Sequence, residues 1–128
     1  RGSMINSIEP MAKYFMNIAL KFKMEPIYKQ KEAALKVLQD IEIPGYENEV
    51  INKFRGFVYV NNNEYETANQ ILIKYLAKSP NDFDVLYAVA VNYTNQGMRS
   101  EALSYAYRAR ALRPNSEQIQ NIIRLNSQ

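Results

Sequence analysis

The chain has 128 residues, 47% of them hydrophobic and 23% charged, with a formal net charge of +3; this is the size and balance of one domain able to bury a core without staples. It contains neither Cys nor His, which excludes a disulfide framework, thiolate nucleophiles, the usual zinc sites and the usual general base at neutral pH. No apolar run approaches the roughly 18 residues that cross a bilayer, so a cytoplasmic protein without a membrane span is expected.

Taken in chain order, Arg1-Gly2-Ser3 ahead of Met4 reads as a tag remnant, and residues 4–128 as a single domain. A first helix is expected from Ile8 to Met24, with Phe15, Ile18, Ala19 and Phe22 on one side. Its partner runs from Tyr28 to Ile41 and carries Ala34, Leu35 and Leu38. Pro26 interrupts the spacing between them, so residues 4–48 form a degenerate hairpin that ends in a Pro44-Gly45 loop. Residues 49–82 make the second unit and residues 83–116 the third. Within the third, Val85, Leu86, Val89, Ala90 and Tyr93 follow the i, i+3, i+4 rhythm of an amphipathic helix, and Ala102, Leu103, Ala106, Ala109 and Leu112 repeat it. Gly97 between the two can take the left-handed conformation that closes a helix, and Pro114 stops the second. Ser116 then caps a short helix, residues 116–128, with Ile119, Ile122, Ile123 and Leu125, which covers the last hairpin.

A self-match decides the expected architecture. Pro80 and Pro114 lie 34 residues apart (114 − 80), and the same offset relates Ala68 to Ala102, Tyr59 to Tyr93 and Gly56 to Ala90. Small residues let paired helices approach closely, and hairpins at a fixed period cannot bury their faces alone, so they stack.

This pattern resembles the tetratricopeptide repeat, a family whose hairpins carry, in order, a small residue, an aromatic, Gly, Ala, Ala and Pro. The third unit offers Ala90, Tyr93, Gly97, Ala102, Ala109 and Pro114 at those places, and the second Gly56, Tyr59, Asn63, Ala68, Tyr75 and Pro80. Asn63 stands for Gly, Tyr75 for Ala, and Asn52 and Leu86 where a large aromatic is usual. The resemblance implies an all-α, α-α superhelix of about three hairpins with a C-terminal capping helix, seven helices in all. It also implies a concave groove lined by the first helix of each hairpin. Those places are Val50, Lys53, Phe57, Val60 and Asn61 in the second unit and Asp84, Tyr87, Val91, Thr94 and Asn95 in the third. Met16, Leu20, Lys23 and Met24 join them from the first helix. Met, Phe, Val and Tyr in such a trough suit an amphipathic helix of another protein. The Lys/Arg clamp with which some relatives grip acidic tails is missing, because its third-unit places hold Asp84 and Ala88.

In size and layout, and in stretches such as Asn17-Ile18-Ala19-Leu20, Lys31-Glu32-Ala33-Ala34 and Asn63-Glu64-Tyr65-Glu66-Thr67-Ala68, the chain is similar to the small repeat-containing chaperones of bacterial type III secretion that hold the needle subunit. That likeness implies a cytoplasmic bacterial chaperone with a protein client. A second chaperone subunit or self-association is the other protein contact it allows.

Two other readings compete. The same fold serves as a scaffold or oligomerisation adaptor without chaperone duty, which the sequence separates poorly from holding a client. A nucleic-acid-associated regulator would use Lys21, Lys23, Lys29, Lys31 and Lys36 with Arg99, Arg108, Arg110 and Arg113, but Glu25, Glu32, Asp40 and Glu101 interleave them. No phosphate loop, nucleophile elbow or metal-ligand spacing is present, so no enzyme, catalytic residue, metal or cofactor is expected. Glu47, Glu49, Glu64 and Glu66 sit at helix starts, where acids favour the amino terminus.

Overall fold

A computed structural model describes residues 31–45 and 48–128. The described residues form six α-helices and no strand: α1 (Lys31–Ile41), α2 (Glu49–Asn61), α3 (Tyr65–Lys78), α4 (Phe83–Asn95), α5 (Arg99–Leu112) and α6 (Glu117–Asn126). The helix expected over Ile8–Met24 lies outside the described residues. α2 packs most extensively on α3, and α4 on α5; α3 also packs on α4, and α5 on α6, while α1 lies against α2.

The turns follow from single residues. Asn48 closes the α1–α2 loop by accepting from Ile43 N at 3.2 Å and donating to Ile43 O at 3.1 Å. Between α2 and α3 the chain reverses at Asn63, whose φ of 60° is left-handed. Between α4 and α5 it reverses at Gly97 with φ 75°. Glycine takes that region without strain and Asn tolerates it better than other side chains, so Asn63 does serve in place of Gly. Both turns close alike: Glu64 N donates to Tyr59 O at 2.9 Å, and Met98 N to Tyr93 O at 2.9 Å. The 34-residue offset of the sequence is thus also an offset of hydrogen bonds. α4 and α6 start on true side-chain caps, since Asp82 accepts from Val85 N and Ser116 from Ile119 N.

Small residues set the spacing between helices. A Cβ built on Gly56 of α2 would stand 2.5 Å from Leu72 Cδ2 and 2.7 Å from its Cγ, so α3 occupies that space. α5 contributes Ala102, Ala106 and Ala109 as its buried residues, which lets it lie close on α4. The core centres on α4, where every residue from Val85 to Asn92 is buried. A helix apolar all round has neighbours all round. α6 supplies one of them: Ile119 and Ile122 are fully buried, and Asn126 Nδ2 donates to Thr94 Oγ1 at 2.9 Å. α6 so packs on both α4 and α5.

Candidate partner-binding face

The residues expected to line a groove come from α2 and α4. Their geometry follows from helix stepping. Phe57 is one step, about 100°, from Gly56, the point where α3 presses in. Phe57 and Tyr87 are each 3% exposed, Val60 4% and Val91 0%. These four walls are therefore part of the folded core and not an open apolar trough. Phe57 meets Phe54 edge-on at 6.4 Å between centroids, and Tyr87 lies parallel to Phe83 at 6.3 Å. Exposed residues at the same places are Val50, Asn61, Asp84 and Asn95. Thr94 is half-buried, donates to Ala90 O at 2.8 Å and receives the Asn126 amide. Met16, Leu20, Lys23 and Met24 lie outside the described residues.

Lys53 has a partner of its own. Its Nζ is 2.9 Å from Asp82 Oδ2, and both side chains are largely buried. The Tyr75 hydroxyl donates to the same oxygen at 2.7 Å, while Asp82 Oδ1 caps α4 through Val85 N at 3.3 Å. One carboxylate so ties α2, α3 and α4 together. Burial pushes the Asp82 pKa up, but the bonds from Lys53, Tyr75 and Val85 outweigh it and hold the carboxyl below the usual carboxylate range. Tyr75 is pushed up to about 12, first by burial and then by donating to Asp82. Both shifts lead away from neutrality, the opposite of a group poised for proton transfer near pH 7. The cluster is a clasp.

A second buried polar contact joins α3 to α4. Asn92 Nδ2 donates to Asn69 Oδ1 at 2.8 Å, and Asn69 Nδ2 reaches Val89 O at 3.5 Å. Asn92 Oδ1 has no hydrogen-bond partner. Sequence reasoning missed this pair and the Asp82 clasp, though signals existed for both. Asn92 interrupts an apolar run from Val85 to Val91, and Asp82 stands three residues before Val85 in a cap position.

Two open clefts lie away from these walls. One of about 470 Å³ is bounded by Glu42, Asn48, Glu49, Arg55, Lys74 and Lys78. The other, of about 370 Å³, lies between α3 and the α4–α5 turn beside Asn69, Ile73, Tyr93 and Met98. Neither contains a set of metal-binding side chains; among the described residues no three Asp, Glu, His or Cys come together. Among the described residues no helix is long and apolar enough to cross a membrane. Compared with protein-family models, curated proteins and solved structures, the chain matches none.

Proposed function

We propose that the chain is a protein-binding module of tetratricopeptide-repeat type and, within that class, a small cytoplasmic chaperone that holds an amphipathic helix of a client, such as a type III secretion subunit. The observation that carries this reading is the recurrence of one turn. The closing bonds Glu64 N to Tyr59 O and Met98 N to Tyr93 O, the left-handed residue before each, and the small residues Gly56 and Ala90 repeat at one interval. Hairpins built to one plan stack, and a stack presents a long face suited to a polypeptide more than a pocket suited to a metabolite.

The burial of Phe57, Val60, Tyr87 and Val91 adds a condition. A client helix replaces contacts that already cover those side chains, so its affinity is the difference between two apolar interfaces. Val50, Asn61, Asp84 and Asn95 are exposed and are where a client first touches. Asp in place of Phe57 or Tyr87 would unfold the chain and report nothing about binding, so the test uses exposed positions. The protein is co-expressed with an aggregation-prone secretion subunit that ends in an amphipathic helix, and the soluble fraction is sized by light scattering. A one-to-one complex is expected, weakened about tenfold, or ~1.4 kcal/mol, by joint Asn61→Glu and Asn95→Glu. A subunit that stays aggregated removes the chaperone reading and leaves the scaffold; a complex indifferent to both substitutions moves the site off this face.

A further inference from the structure

We infer that the seam between the α2–α3 and α4–α5 hairpins is a hinged gate, held shut at the Asp82 clasp and opening at its far end, where the Asn69–Asn92 pair is a weak latch. α3 and α4 are joined by the short loop 79–82. Asp82 fastens that end, taking Lys53 of α2 at 2.9 Å and the Tyr75 hydroxyl of α3 at 2.7 Å. Asn69 stands ten residues before the loop begins and Asn92 ten after Asp82 (79 − 69 and 92 − 82). The amide pair therefore lies about 15 Å along the helix axes from the clasp. At its end of the seam the surface is already parted. The cleft of about 370 Å³ is lined there by Glu66, Asn69 and Ile73 of α3, by Tyr93 of α4 and by Gln96 and Met98 of the turn that follows.

The latch is weak because no orientation of the two amides satisfies both. Asn69 faces the Val89 carbonyl, an acceptor, at 3.5 Å, so that end must be its Nδ2 and the other its Oδ1. Asn92 must then offer Nδ2, at 2.8 Å, which leaves its Oδ1 without a protein partner. Turning either amide end for end, or both, sets donor on donor or acceptor on acceptor at one contact or the other. Asn69 is 3% exposed and Asn92 0%, so the orphan carbonyl is held away from water while the seam is shut. Opening hydrates it and both amide groups, whereas a seam closed by apolar side chains gains nothing of the kind from water. The alternative is that the pair only sets the register of α3 on α4. Register needs one good bond and no orphan, and it gives no reason for the cleft to lie at the amide end. The gate is a motion of this chain alone and does not rest on the client reading.

The test uses thiol labelling of the full chain, which has no cysteine of its own. Val89 and Val85 lie one and two turns before Asn92 on the same side of α4, and both are 0% exposed. Each is replaced singly, Val89→Cys and Val85→Cys, and the rate of reaction with a thiol reagent is measured without denaturant; circular dichroism checks that helicity is kept. Global unfolding uncovers both thiols alike, whereas a gate hinged at the clasp uncovers the one nearer the latch first. Val89→Cys is expected to react about tenfold or more faster than Val85→Cys. In the Val89→Cys background Asn69→Ala strands the Asn92 amide and should raise the rate about tenfold. Asn69→Ala with Asn92→Leu, which replaces the two amides by a small and a large apolar residue, should then react about tenfold more slowly than Asn69→Ala alone. Equal rates at the two thiols overturn the hinge. A double variant that reacts as fast as Asn69→Ala overturns the latch, because the unpaired amide would then not be what drives the opening.

Discussion

Gly56→Ala is a change whose sign depends on one neighbour. In isolation, a glycine inside a helix costs about 1 kcal/mol relative to alanine, so the substitution should stabilise α2. The added methyl, however, would stand 2.5 Å from Leu72 Cδ2 and 2.7 Å from Cγ. Contacts at Cγ cannot be relieved by swinging the end of the side chain alone, and Leu72 is 0% exposed, with no solvent to move into. Overpacking of this kind costs about 1–3 kcal/mol, and since two Leu72 atoms are affected the upper half of that range applies. Subtracting the propensity gain leaves a net loss of about 1–2 kcal/mol. The assay is urea unfolding followed by circular dichroism, with Leu72→Ala as a second background. That change alone should cost about 2–5 kcal/mol by leaving a cavity. In its presence Gly56→Ala should turn stabilising by up to about 1 kcal/mol, because the obstacle is gone and the methyl refills space. Equal effects in both backgrounds would refute the claim that Leu72 selects glycine.

Asp82→Asn keeps one acceptor oxygen, which can serve Val85 N or the Tyr75 hydroxyl but not both, and removes the charge opposite Lys53, so it should cost about 3 kcal/mol at neutral pH. The Asp82 pKa is lower in the fold than in the unfolded chain, so its contribution is complete above the unfolded value and disappears as pH falls through the folded one; the acid loss of stability should flatten in the variant, and an unchanged acid slope of the urea midpoint would contradict the clasp. Tyr75 is raised to about 12, so its contribution is present below its ordinary value and lost as pH climbs towards that figure, which a midpoint falling at high pH would show. Asn69→Ala strands the Asn92 amide and should cost about 2–3 kcal/mol, whereas Asn69→Leu with Asn92→Leu should cost less than the two single Leu changes added together, because no buried polar group remains unpaired. Additive losses would show that the pair is not a unit.

Much of the fold was legible because it rests on local chemistry. The helical rhythm of Val85, Leu86, Val89, Ala90 and Tyr93 gives α4, and Ser116 caps α6 where its hydroxyl accepts from Ile119 N. Asn63 and Gly97 turn the chain with positive φ at the places their residue types favour. The candidate face was less legible. Helical spacing places Phe57, Val60, Tyr87 and Val91 on faces of α2 and α4, but periodicity marks a side chain as apolar without saying whether water or another element meets it. The structure has all four buried, so they do not form an open apolar trough, and on the proposed reading a client would have to displace existing contacts.

By itself the sequence determined the helices, their turns and the interval at which they repeat, because hydrogen bonding within a helix, capping and left-handed turns are settled by residues a few places apart. Tertiary structure alone decided that Asp82 joins Lys53 and Tyr75, that Asn69 meets Asn92, and which apolar faces are hidden. Lys53 and Asp82 are 29 positions apart, and no local rule selects such a partner. The choice is made when Gly56 and the alanines of α5 let the helices close to contact distance, and desolvation then makes an unpaired charge or amide too costly to leave.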